Sequence, residues 1–390
     1  MKHVKTIRWQ LQGTITPDHP AIQAAAALLL QDELIAFPTE TVYGLGALAD
    51  REVAVRKIFD VKGRPADNPL IVHVANHEAV LTIAQDIPEA AWLLLKTFTP
   101  GPLTLILKGK GVLSHRVTAG LNTVAVRIPD HPVALSLLTR VEKPVAAPSA
   151  NRSGRPSPTR AEHVLEDFDG QIAGILDAGQ TGYGLESTVL DMTVYPYTIL
   201  RPGAVTLSDL QAIIGADRVR LHPSLYPEKP SVVTGHTVDD DASDTVARSP
   251  GMKYRHYAPD VPLTLWLLNA ERLDPRVPSV QHILLRLKAM LQKQLEEGLR
   301  LSFLAYEEDM PILKTVLGEI FLKIHFIHVG QRGQPEAIAA SLYDTLRSLH
   351  PQSTDRVHML GVLEDGVGLA VMNRLRKAAS EIMTEEGSTI

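Results

Sequence analysis

Lys62 and Arg64 stand two residues apart in "KGRPADNPLIVHV" (62–74), where a helical run gives way to a strand. Pro65 and the Asn68-Pro69 pair stiffen the turn between them. Two cations on a stiff turn suit a polyphosphate better than a mobile surface loop does. The competing explanation is simple complementation of a helix C-terminal dipole. His73 shares a strand face with Ile71 and Ala75, and a lone strand histidine is ordinarily a core residue. A second concentration of chemistry lies in "AAPSANRSGRPSPT" (146–159). Ser149, Asn151, Arg152, Ser153, Arg155, Ser157 and Thr159 are interleaved there with Gly and Pro, a composition that cradles anions. "FPTETVYGLG" (37–46) follows an apolar run with two threonines and two glycines. It reads as a strand-to-helix turn whose hydroxyls could meet a ligand, and its spacing is neither Walker A nor GxGxxG.

Further polar groups stand at three strand ends. Arg127 closes the apolar run "TVAVR", and it needs an anionic partner in the protein or in a ligand; the residues do not choose between these. Ser187 and Thr188 in "GLESTVLD" and Arg201 in "ILRPGAV" repeat the arrangement. If the loops converge, Lys62, Arg64, Arg127, Arg152, Arg155 and Arg201 form a local anion site, fit for a phosphorylated ligand. There is no HExxH zinc signature, no Ser-His-Asp order and no carboxylate cluster of metal-cage type.

The elements that must position these groups alternate. "DHPAIQAAAALLLQDE" and "REVAVRKIFDV" read as helices, the first with Asp18 as N-cap; "LIAF", "PLIVHV", "LTLIL", "TVAVRI" and "YTILR" read as strands. Strands separated by helices and loops predict an open, twisted mixed α/β sheet with helices over residues 1–210. Near residue 219 the periodicity gives way to Pro, Ser, Thr and Asp, so 211–260 reads as a linker or lid. A β-α-β-α alternation over 261–390 predicts a smaller Rossmann-like parallel α/β domain, its last helix running through "VGLAVMNRLRKAASEI".

Composition bounds the partners. The 390 residues are 45% hydrophobic with a formal net charge of −5, so no global field recruits nucleic acid or an anionic membrane. The absence of cysteine excludes disulfides, thiolate zinc sites and a thiol nucleophile. "MKHVKTIRWQ" lacks the apolar core of a signal peptide and no run reaches a membrane span, so the chain reads as cytoplasmic.

Taken in order, "PTETVYGLG", "KGRPADNPLIVHV", "PGPLTLIL", "TVAVRIP", "PSANRSGRPSPT", "ESTVLD" and "ILRPGA" resemble the YrdC-like family of threonylcarbamoyl-AMP synthases. "SPGMKYRHYAP" (249–259) and "GLAVMNRLRKAA" (368–379) resemble its long, two-domain form. The resemblance implies condensation of L-threonine, bicarbonate and ATP to L-threonylcarbamoyl-AMP and pyrophosphate, for modification of the adenosine beside the tRNA anticodon. It implies a catalytic set at Lys62, Arg64, Ser149 and Asn151. It implies threonine contacts at Thr41, His73, Arg127, Ala147 and Ser187. ATP contacts fall on Arg64, Asn68, Thr123, Ser149, Ser157 and Arg201, with Tyr254 and His256 added from the linker. Mg²⁺ would accompany ATP without a dedicated protein metal site. A downstream threonylcarbamoyl transferase complex is the expected partner, together with a weak tRNA contact and no membrane. The alternatives are an RNA-binding module without adenylating activity, and a carbamoyl-adenylate step of the hydrogenase-maturation kind. Aromatic content of 5% speaks against the first, and the missing cysteines against the second.

Overall fold

The computed structural model describes residues 5–225, 256–268 and 270–384. The first strands are β1 (Ile7–Gln10), β2 (Ile35–Pro38), β3 (Tyr43–Leu48), β4 (Ile71–His73), β5 (Ala84–Gln85) and β6 (Leu103–Gly109). They are followed by β7 (Thr123–Arg127), β8 (Val145–Ala146), β9 (Gly174–Asp177), β10 (Thr188–Asp191), β11 (Tyr197–Arg201) and β12 (Val219–Leu221). These twelve form one mixed sheet in the order β1-β9-β2-β3-β8-β4-β7-β6-β10-β11-β12, with β5 attached to β6. A separate sheet holds β13 (Leu263–Trp266), β14 (Leu301–Ala305), β15 (Ile324–His328), β16 (Arg356–Leu360) and β17 (Glu381–Met383). Its order is β15-β14-β16-β13-β17 and every pairing is parallel. The mixed α/β first sheet and the parallel second one match the fold class expected from the alternation.

Helices cover the first sheet with two apolar cores. One core joins Ala54, Val55, Ile58 and Phe59 of helix Glu52–Lys62 to Val72, Leu105 and Val126 of the sheet. The other joins helices Pro20–Leu30 and Pro132–Val141 to Ile35, Phe37 and Leu48. Helix Glu52–Lys62 carries an acid in its first turn and Lys62 in its last, as its dipole favours, and Gly63 ends it in the left-handed conformation at φ 60°. The stiff turn then starts β4, which pairs in parallel with β7 so that His73 lies beside Arg127.

Four expectations are corrected. Residues 37–46 do not lead from a strand into a helix: Thr39 to Val42 make a tight turn, and Tyr43–Leu48 returns antiparallel to β2. The glycines serve this hairpin, since a Cβ on Gly46 would lie 2.8 Å from the Phe37 ring. The start of the presumed linker holds β12, which pairs with β11. The tail helix stops at Ala378, and Glu381–Met383 joins the second sheet beside β13. The first helix is capped by the His19 side chain, not by Asp18. Among the described residues no helix is long and apolar enough to cross a membrane.

The two sheets meet through a polar and close-packed interface. Arg347 of helix Pro335–Arg347 donates to the Pro156 carbonyl at 2.7 and 3.0 Å and to Asp167 at 2.7 Å. Arg160 pairs with Asp344 at 3.1 Å. Gly184 lies flat on the same helix with φ +72°, and a Cβ there would stand 2.4 Å from the Ala339 carbonyl oxygen. Gly184→Val should therefore cost at least ~2 kcal/mol through strain and overlap. A thermal melt should show the first transition falling by several degrees; an unchanged melt would contradict this packing.

Candidate active site

The loops converge on one cleft. Its wall includes Lys62, Arg64, His73, Arg127, Ala147, Ser149, Asn151, Arg155, Glu186, Arg201, His256 and Tyr257. Main-chain bonds build it: Leu45 donates to the Pro148 carbonyl and Ala150 to that of Tyr43, both at 2.8 Å, so segment 148–150 lies along β3. Ser153 N donates to the Lys62 carbonyl at 2.9 Å, tying that loop to the helix end.

Three cations of this cleft have no carboxylate in ion-pair contact among the described residues. Lys62, 4% exposed, donates from Nζ to the main-chain carbonyls of Ser149 (2.6 Å) and Asn151. Burial, and secondarily the charge of Arg64, pushes its pKa well below the ordinary lysine value. Arg64 is half-buried and donates to the Asn68 carbonyl (3.2 Å) and the Pro69 carbonyl (2.9 Å); burial brings it to about 10. Arg201, 5% exposed, donates to the Ser187 carbonyl (3.0 Å) and hydroxyl (3.1 Å). Carbonyls and a hydroxyl orient these groups and leave their charge unneutralised, so the cleft is preorganised for an anion.

The other arginines expected in the anion site have protein partners. Arg155 is bonded to Asp167 and, at 3.2 Å, to Asp260, while Arg152 donates to the Asp167 carbonyl at 3.1 Å. The Asp167 carboxylate ties Arg155 into the loop's scaffold although Arg155 also lines the cleft. Exposed Arg152 is not among the residues lining the cleft, a correction to its inclusion in the anion site. Arg127 finds a protein partner: its Nη2 donates to Glu40 Oε1 at 2.7 Å and to Thr41 Oγ1 at 2.9 Å. Its Nη1 takes no hydrogen-bond partner among the described residues.

Some polar atoms of the wall are buried without a partner. His73 Nδ1 and Asn151 Oδ1 are two of them, and Asn68 Oδ1 and Glu40 Oε2 are two more just behind it. Burial, reinforced by the charge of Arg127, lowers His73 to about 3, so at neutral pH the imidazole is uncharged. His256 is lowered to about 4, again chiefly by burial and then by Arg64.

The expected residues thus divide by position. Lys62, Arg64, His73, Arg127, Ala147, Ser149, Asn151, Arg201 and His256 line the cleft. Thr41, Ser157, Ser187 and Asn68 stand behind the wall, bonded to Arg127, Glu186, Arg201 and Arg64 respectively. Thr123 lies outside the cleft at the far end of β7, four residues from Arg127, in a separate depression with Lys108 and Asp191. Tyr254 falls outside the described residues. Glu40 and Glu186 were missed as site residues, although both lie within the quoted motifs. Each carboxylate's partner, Arg127 or Arg374, is remote in sequence, and nothing local announces it.

This is the architecture of a two-domain α/β protein with a cleft lined by buried and half-buried cations. Residues 27–203 match the family model described as "Telomere recombination", and 205–380 match "Threonylcarbamoyl-AMP synthase, C-terminal domain". The chain is 45% identical to the threonylcarbamoyl-AMP synthase of Bacillus subtilis over 379 residues, covering 96% of this chain and 98% of that protein. It is 44% identical to that of Pyrococcus abyssi, over 92% and 94% of the two chains. The crystal structure of P. abyssi Sua5 complexed with L-threonine superposes with a TM-score of 0.78 at 41% identity, covering 96% of this chain and 98% of that one. The chain belongs to the threonylcarbamoyl-AMP synthase family, in its long form.

Glu186 supplies a pH signature. Burial opposes its ionisation, but the charges of Arg374 and Arg201 and the Ser157 hydrogen bond outweigh that and hold it at about 2, against an ordinary 4.5. A lowered carboxyl contributes stability that is complete above its unfolded value and is lost as pH falls toward its folded one. Between pH 4.5 and 2 the wild-type protein should therefore lose stability more steeply than Glu186→Gln does. Superimposable acid-unfolding curves would count against an ionised Glu186 at the interface.

Proposed function

We infer that this chain condenses L-threonine, bicarbonate and ATP into L-threonylcarbamoyl-AMP and pyrophosphate. The observation that carries the reading is the trio Lys62, Arg64 and Arg201, buried or half-buried in one cleft with no carboxylate in ion-pair contact. A triphosphate is the ligand that repays such an arrangement. Buried cations also argue against the RNA-binding alternative, because a nucleic-acid backbone needs cations it can reach along a surface.

The chemistry requires positioning more than covalent catalysis. The threonine nitrogen bonds to the bicarbonate carbon with loss of water, giving a carbamate. A carbamate oxygen then bonds to the α-phosphorus, and the bond to the pyrophosphate oxygen breaks. Lys62, Arg64 and Arg201 neutralise charge as it shifts onto the leaving group. The Arg127 Nη1 would take the threonine carboxylate, with Glu40 and Thr41 fixing the guanidinium from behind. Neutral His73 offers Nδ1 to the amino acid, and Asn151 Oδ1 offers an acceptor. ATP enters as its magnesium complex, the metal carried on the phosphates. Residues 1–210 would form the catalytic domain, 211–260 the linker or lid, and 261–390 the second domain. The product would pass to a transferase acting on tRNA, which places the work in the cytoplasm; a weak tRNA contact would assist that transfer.

Pyrophosphate release by the purified chain should require ATP, Mg²⁺, L-threonine and bicarbonate together. Lys62→Ala should lower the rate by roughly 100-fold or more, the scale of losing one preorganised charge. Release that ignores threonine or bicarbonate, or survives in Lys62→Ala, would refute the assignment.

A further inference from the structure

Glu186 sits in the cleft wall with both oxygens occupied. Oε1 accepts from Ser157 Oγ at 2.6 Å and is 3.1 Å from the Tyr343 hydroxyl. Oε2 accepts from Arg374 Nε at 3.0 Å and also lies 3.0 Å from that hydroxyl. Tyr343 and Arg374 come from helices Pro335–Arg347 and Val367–Ala378 of the second sheet's layer, while Ser157 and Glu186 come from the first. A buried carboxylate near Arg201 would ordinarily be that arginine's partner. It is not: among the described residues Arg201 donates only to Ser187, and the one ion pair of Glu186 is with Arg374. Arg374 itself is fully buried, and its Nη1 is fixed by the Pro202 carbonyl at 2.7 Å, so its charge is directed to Glu186.

The same two residues seat the end of the connector. Tyr257, in the cleft wall at φ 65°, stacks on Tyr343 with ring centroids 5.3 Å apart, and the Arg374 guanidinium lies 5.9 Å from its ring centre. The next residue, Ala258, donates to the Gly154 carbonyl at 2.8 Å, which ties the connector back to the serine-rich loop.

We propose that the second domain completes the ATP site through Glu186. By engaging this carboxylate, Arg374 and Tyr343 keep Arg201 available to the substrate's phosphates and hold Ser157 and Tyr257 in the wall. Arg374 and Tyr343 are thus positioning residues acting through Glu186. Without Arg374 the carboxylate turns to Arg201 and neutralises a charge intended for the triphosphate. Of the residues assigned to threonine, His73 and Arg127 make no bond to Glu186, Arg374 or Tyr343 among the described residues, and Ser187 meets this set only through Arg201 and its own place next to Glu186.

The inference rests on the synthase reading, and the test separates the two. Dissociation constants for ATP and for L-threonine are measured on the full chain by titration calorimetry. Arg374→Met should weaken ATP at least tenfold and threonine less than threefold. Adding Glu186→Gln removes the competing carboxylate and should restore most of the ATP affinity, a rescue that a merely structural role would not produce. Tyr343→Phe keeps the ring stacking and removes one hydroxyl, so it tests the idea even if Arg374→Met fails to fold. It should weaken ATP several-fold with threonine unchanged. Wild-type ATP affinity in Arg374→Met or in Tyr343→Phe, or additive losses in the double variant, would overturn the proposal. A wild-type chain that binds no ATP would overturn the synthase reading first, and this inference with it.

Discussion

Burying positive charge without a protein counter-charge is the constraint around which this structure is arranged. Each such ion carries a desolvation penalty of several kcal/mol, and the usual remedy is a carboxylate neighbour. Lys62 and Arg201 receive carbonyls and a hydroxyl instead. That choice gives up fold stability and retains charge for a ligand. Several features limit the cost. Lys62 ends a helix whose dipole favours a cation there. The two carbonyls facing its ammonium come from a loop that main-chain bonds pin to β3 and to the Lys62 carbonyl. The architecture thus supplies partial charges from backbone dipoles, which orient the cations without cancelling them.

Carboxylates are present in the cleft region, but each is directed elsewhere. Asp167 takes Arg155 and Arg347, and Glu40 takes Arg127. Glu186 takes Arg374 across the interface. The wall is therefore electrostatically graded: Lys62, Arg64 and Arg201 face the cleft uncompensated, while Arg127 and Arg155 line it with a carboxylate already at their backs. The grading involves both sheets, which gives the second domain a physical reason to be attached to the first.

Much of this was legible in the sequence. The cationic turn at Lys62–Arg64, the hydroxyl-rich loop at 148–159 and the strand-end Arg127 and Arg201 are local signals, readable from composition and alternation. The alternating fold class was readable for the same reason. Partner choice was not, because it depends on which chains meet in space. Arg127 could have served a ligand or a protein carboxylate; the β2–β3 hairpin that brings up Glu40 looked like a strand-to-helix turn, since Thr39, Gly44 and Gly46 favour either. Arg155 looked like a ligand cation, but the Asp167 carboxylate, on a helix packed beside it, pairs with it, and Arg152 stays outside the cleft lining on a main-chain carbonyl. The Glu186–Arg374 pair spans 188 positions and joins two domains, a separation that periodicity cannot cross. Thr123 shows the converse: strand position follows from the sequence, but which depression that end of the strand lines does not.

The most direct test of the central claim is a crystal structure of the chain with a non-hydrolysable ATP analogue and L-threonine. The account predicts phosphate oxygens within hydrogen-bond distance of Arg64 and Arg201 and near Lys62, with the threonine carboxylate on Arg127. A triphosphate bound away from these cations, or one neutralised by residues outside the cleft, would contradict it.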